Sequence, residues 1–146
     1  MKKYLSILMA LCLLCACVAG CSDKSKEKSA ALDLIDLTKL TGTLVYAEVY
    51  NIMTSPDDYI GKTIKMSGAY SAQYYEPTQE YYHAVLIADA AACCQQGLEF
   101  KWNGEHTYPD DYPENGTNIE VTGVFGSYEE LGQTYYYLAT DEVTAL

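Results

Sequence analysis

The sequence predicts a mainly β protein: a small five-stranded barrel with one short helix ahead of it. Three observations carry that expectation. Five stretches after residue 60 alternate apolar and polar residues or are dense in Tyr, Val, Ile and Phe, as half-buried strands require. Asn103-Gly104, Asn115-Gly116 and Leu131-Gly132 fall between them as turn signals. Two of the five stretches, Ile64–Tyr70 and Ile119–Phe125, echo each other position by position and differ only in the sign of one charge. Each carries a glycine at mid-strand, where a sheet bends or bulges to curl over itself. That pattern is the sequence mark of a Greek-key barrel of the oligonucleotide/oligosaccharide-binding (OB) type.

The elements follow in chain order. Residues 1–20 read as an export signal. Lys2 and Lys3 precede an uncharged apolar run from Leu5 to Val18, which is short for a transmembrane helix. The run ends Val18-Ala19-Gly20-Cys21, an aliphatic residue and two small ones before cysteine, the pattern of a bacterial lipobox. Cys21 is therefore the expected lipid anchor. Its acyl chains, palmitate among them, would hold the mature chain in a cell membrane on the extracytoplasmic face. Residues 21–31, polar and rich in Ser and Lys, read as a lipidated tether, and residues 32–146 as the folded domain.

Within that domain, Leu32–Leu40 alternates and fits a short edge strand. Thr43 reads as the N-cap of a helix ending near Thr54, with Val45, Val49, Ile52 and Met53 on one stripe. Ser55-Pro56-Asp57-Asp58 begins a second helical turn. The strands are expected over Lys62–Tyr70, Glu80–Asp89, Leu98–Trp102, Asn118–Phe125 and Thr134–Ala139. Tyr108–Gly116, with two prolines and an Asn-Gly, reads as a structured turn in the connection where many OB barrels carry a helix.

Charge excludes some partners. The 146 residues hold 9 cations, all lysine, and 20 acids, a net charge of -11. Lys2 and Lys3 leave with the signal, so the folded domain, with only Lys39, Lys62, Lys65 and Lys101, is the acidic part. Neither nucleic acid nor an anionic surface binds such a domain by charge, and the absence of arginine removes the usual phosphate clamp. No nucleophile elbow, phosphate loop or dinucleotide fingerprint occurs, and the expectation is a non-enzymatic protein.

Cys93-Cys94 is the unusual feature of the mature domain. Set in the connection after Glu80–Asp89, the pair has four readings: small buried hydrophobes, a vicinal disulfide, a soft-metal site for zinc or copper with Asp89 as third ligand, or a reactive thiol. His83 lies a strand's length from the cysteines and nearer His106, so His83 and His106 with Glu105 are a weaker candidate metal group, against the reading of surface histidines. The tyrosines at 74, 75, 81, 82 and 135–137 are strand formers that also offer ring faces for stacking on sugars or a peptide.

Three segments carry a resemblance: Ser55–Gly68, Cys93–Phe100 and Ile119–Phe125. Together they resemble a group of uncharacterised OB-like lipoproteins of anaerobic Firmicutes. More distantly they resemble the extracytoplasmic domain of a permease-associated bacterial membrane-protein family with a Cys-Cys loop before an apolar strand. The resemblance implies an OB-like barrel and an accessory role beside a permease or another envelope protein. The expected function is thus a lipid-anchored extracytoplasmic binding or accessory module. The alternatives are a metal-handling or thiol-redox accessory using Cys93-Cys94, and a structural envelope lipoprotein.

Overall fold

The computed structural model describes residues 34–146; the signal, Cys21 and the tether lie outside the described residues. The domain is mainly β, a six-stranded mixed sheet with one α-helix. The strands are β1 (Leu34–Asp36), β2 (Thr63–Tyr75), β3 (Glu80–Ala88), β4 (Gln95–Trp102), β5 (Asn118–Glu130) and β6 (Gln133–Ala145), and the helix α1 is Gly42–Thr54. The order is β1-β2-β3-β4-β6-β5, and β5 pairs again with β2. Pairing is antiparallel except for β1 with β2 and β4 with β6.

β2 makes this closure by changing partners along its length. Its first half, Thr63–Ala69, pairs with β5, and its second half, Ala69–Tyr75, with β3. Gly68 stands at the handover, and a Cβ there would strike the Leu86 carbonyl of β3. The expectation of a bend at this glycine is thus met by a close backbone approach, and β5 supplies the bulge: its register with β6 shifts between Val121 and Gly123. The two echoed segments prove to be paired, Met66 opposite Val121 and Gly68 opposite Ile119. Their one difference in charge becomes a cross-strand ion pair, Lys65 Nζ to Glu120 Oε1 at 2.9 Å. Both side chains are partly exposed, and a solvent-screened pair of this kind contributes up to about 1 kcal/mol, so it helps fix register more than stability.

Four expectations are corrected. The sheet has six strands and not five, because the edge segment expected over Leu32–Leu40 pairs with β2 over Leu34–Asp36 and then turns into a 3-10 helix at Leu37–Lys39, where the Asp36 carboxylate accepts the Thr38 N–H. The helix begins earlier than Thr43: Thr41 is its N-cap, extended at φ -76° and ψ 156°, and the Thr41 carbonyl accepts the Val45 N–H at 2.9 Å. Val49 and Ile52 are buried, but Met53 is on the outer side at 52% exposure. A stripe of three turns suffices, because α1 covers only one end of the core. Finally, β2, β5 and β6 run well past the alternating stretches. Beyond Phe125 both faces of the β5–β6 hairpin carry tyrosines and glutamates, so hydropathy no longer alternates although the ladder continues to Glu130–Gln133.

The core is continuous from α1 to the far strands. Val49, Ile52, Ile64, Met66, Val85, Leu98, Ile119, Val121 and Leu138 are buried together with Tyr70, Phe100 and Phe125. Tyr70 and Phe100 lie toward the end of the β3–β4 pair remote from Cys93, where Tyr70 meets Tyr112 of the long 103–117 connection.

Candidate functional site

Two side-chain groups stand at opposite ends of the β3–β4 pair. At one end His83 pairs with Phe100; at the other Ala88 pairs with Gln95, and the Asp89–Cys94 loop follows. The separation expected between His83 and the cysteines is therefore present.

At the His83 end, an open cleft of about 530 Å³ is lined from β3, β4 and the 103–117 connection. Alternation along β4 divides its wall. Phe100 and Trp102 share one face, and Glu99 and Lys101 share the other. The first face continues the core as a stack of rings. His83 lies parallel to Tyr112 at 4.0 Å and nearly parallel to Tyr70 at 5.9 Å, and Tyr108 covers Tyr81 at 4.3 Å. The Tyr70 hydroxyl and His83 Nδ1 are hydrogen-bonded at 2.7 Å. Trp102 stacks on His106 at 3.9 Å. The 103–117 connection forms turns and no helix, as its prolines require, and the Asp111 carboxylate accepts the Thr107 N–H at 2.6 Å.

His83 and His106 thus reach the same cleft, but each is engaged elsewhere. His106 Nε2 is bonded to the Asn103 carbonyl at 3.1 Å, and the Tyr112 ring neighbours both imidazoles. With Glu105 they do not form a ligand group; among the described residues the one such group is Asp89, Cys93 and Cys94.

Burial lowers the His83 pKa. The native state then binds a proton at His83 less readily than the unfolded chain, whose histidine titrates near ~6.5. Stability present above that pH is lost as pH falls through it toward the native pKa. Thermal melts of wild type and His83→Phe across pH 7 to 5 check this. The wild-type melting temperature should fall more steeply; parallel curves would assign the acid sensitivity to other groups.

The second face holds the charges. Tyr128 donates its hydroxyl to Glu99, 3.0 Å from both carboxylate oxygens, and Tyr82 donates to Glu130 at 2.6 Å. The Lys101 ammonium sits 3.3 Å from the Tyr128 ring centroid and 5.0 Å from that of Tyr137, a cation–π arrangement. Burial raises the Glu99 pKa, against the opposing pull of the Tyr128 hydroxyl and Lys101. Burial and the neighbouring Glu99 likewise push the Tyr128 phenol up. Tyr82, Glu99 and Glu130 also wall a second hollow of about 390 Å³, whose other side is Tyr74, Tyr75, Tyr128 and Tyr135. Of the tyrosines singled out in the sequence, Tyr74, Tyr75, Tyr81, Tyr82 and Tyr135 line one hollow or the other. Glu99, Lys101, Tyr128, Glu130 and Trp102 were not singled out. The available signal was parity: Leu98 and Phe100 inward put Glu99 and Lys101 side by side on the opposite face.

At the other end, Cys93 and Cys94 are exposed free thiols with their sulfurs 3.6 Å apart, which corrects the reading of buried small hydrophobes. The reason is local. The Asp89 carboxylate gathers the Cys93 and Cys94 N–H groups, at 3.0 and 3.4 Å, and holds the loop outside the core. Hydrogen bonding to Asp89 raises the Cys93 pKa, which disfavours the reactive-thiol reading.

The chain matches no protein-family model and no curated protein.

Proposed function

We propose that this is a lipid-anchored extracytoplasmic binding module, non-enzymatic, built on an OB-like barrel and working beside a permease or other envelope protein. The ring of pairings β2-β3-β4-β6-β5-β2, with a parallel β4–β6 seam, supports the barrel reading. The lipobox ending at Cys21 supports the membrane anchor and the cell-surface location. The ligand reading rests on one observation: the cleft combines tyrosine and tryptophan faces with the carboxylates of Glu80, Glu99 and Glu130 against the single cation Lys101. Ring faces and carboxylates both attract cations, and a domain of this charge steers them in. The favoured ligand is therefore an organic cation, such as a lysine side chain of a peptide.

Calorimetric titration of the full chain with acetyl-Lys-Lys-Lys-amide and with maltohexaose tests this. The peptide should bind, lose affinity as salt rises, and lose it again in Tyr81→Ala. Binding of the sugar alone would overturn the cationic reading, and binding of neither would leave the structural lipoprotein.

A further inference from the structure

The loop at the opposite end of β3–β4 holds a separate side-chain cluster. Asp89 follows β3 directly and Cys93-Cys94 precedes β4, so both strands fix the cluster. Asp89 N–H donates to the Cys94 carbonyl at 2.9 Å, and Gln96 Nε2 donates to the Tyr46 carbonyl of α1 at 2.6 Å, which ties the loop to the helix. Because Asp89 Oδ1 takes the two backbone N–H groups, Oδ2 is left facing Cys93 Sγ at 3.1 Å. The carboxylate oxygen and both sulfurs lie within 4.8 Å of one another. Ala92 holds φ +53° directly before the pair, a conformation that costs about 1 kcal/mol for a residue with a Cβ.

The spacing fits one class of ion. Tetrahedral zinc with Zn–S bonds of ~2.3 Å places its sulfurs about 3.7 Å apart, and the two thiols already stand at 3.6 Å. We propose that Asp89, Cys93 and Cys94 form a three-ligand site for a divalent thiophilic cation, zinc foremost. A fourth position is open to water or to a donor from another protein. Two sulfurs exclude the hard cations magnesium and calcium, and the carboxylate is a poor ligand for copper(I). Binding converts both thiols to thiolates, with two protons released to solvent and no change of oxidation state. The ligands' three negative charges then exceed the ion's two positive ones. The exposure of both sulfurs makes this an exchangeable site, unlike a closed structural one.

The test uses the reduced full chain. Because Cys12, Cys15, Cys17 and Cys21 are also present, the reference is the Cys93→Ser/Cys94→Ser variant. Zinc competition against a chromophoric chelator should show one more equivalent bound by wild type than by this variant. Cobalt(II) should give a thiolate charge-transfer band that the variant lacks. Asp89→Asn should weaken zinc at least ~10-fold, and acid should weaken it by up to ~100-fold per pH unit because two protons compete. Equal stoichiometry and identical cobalt spectra in wild type and the double variant would overturn the site. Unchanged affinity in Asp89→Asn would overturn the three-ligand assignment. The lysine peptide should bind the double variant as it binds wild type, so failure at one end of the sheet does not decide the other.

Discussion

Gly97→Ala should abolish the native fold or cost more than about 4 kcal/mol, a size reserved for a few mechanisms. Gly97 of β4 faces Leu86 of β3, and a Cβ there would strike the Val85 carbonyl oxygen and lie 2.9 Å from the Val85 carbonyl carbon. Both obstacles are backbone, so no rotamer change relieves them. The strands must separate, and Val85 and Leu98, paired one position away and both buried, must move with them. Gly126→Ala is the control. Its Cβ would meet only the Tyr137 ring, at 3.5 Å, an ordinary contact. Urea unfolding followed by circular dichroism separates the two variants. A Gly97→Ala transition within about 1 kcal/mol of wild type would refute the close β3–β4 approach.

Glu99→Gln should weaken the lysine peptide roughly ten- to a hundredfold, the range for losing a hydrogen bond to a charged group, while making the protein more stable at neutral pH. The two effects share a cause. Burial lifts the Glu99 pKa above its unfolded value, so the native state keeps this proton to higher pH. Below ~4.3, the ordinary glutamate value, both states are protonated and Glu99 contributes nothing. As pH rises from there through the native pKa, stability falls, and it stays lower beyond. Around the carboxylate stand Tyr128, Lys101 and Glu130: the first two favour the charged form, the third opposes it. The Glu99→Gln variant should therefore melt higher than wild type at neutral pH and converge with it below about pH 4. Convergence with unchanged peptide affinity would remove Glu99 from the binding face. A carboxylate kept where it lowers stability is what a site that must meet a cation requires.

Much of this was legible in the chain, and particular residues show where legibility ended. Ile64, Met66 and Tyr70 announce β2, and Ile119, Val121 and Phe125 announce β5, because their inward faces are apolar at every second position. The same rule is silent on Ser127–Glu130, whose ladder is held by backbone pairing with polar residues on both sides. The Asp89-Cys93-Cys94 group was legible because a hairpin loop keeps sequence neighbours together. The Glu99–Tyr128 contact was not: it joins residues on β4 and β5, which are not neighbours in the sheet because β6 lies between them. Tyr112 over His83 was equally hidden, since it depends on how the 103–117 connection folds back.

Trp102 gives the molecule an optical property. It is the one tryptophan among 15 tyrosines, and it lies in the wall of the cleft, stacked on His106 and meeting Tyr112 edge-on at 5.5 Å. Excitation at the red edge of the absorption band isolates this single chromophore from the tyrosines. Tryptophan fluorescence of the unlabelled protein thus reads the surroundings of the cleft wall directly.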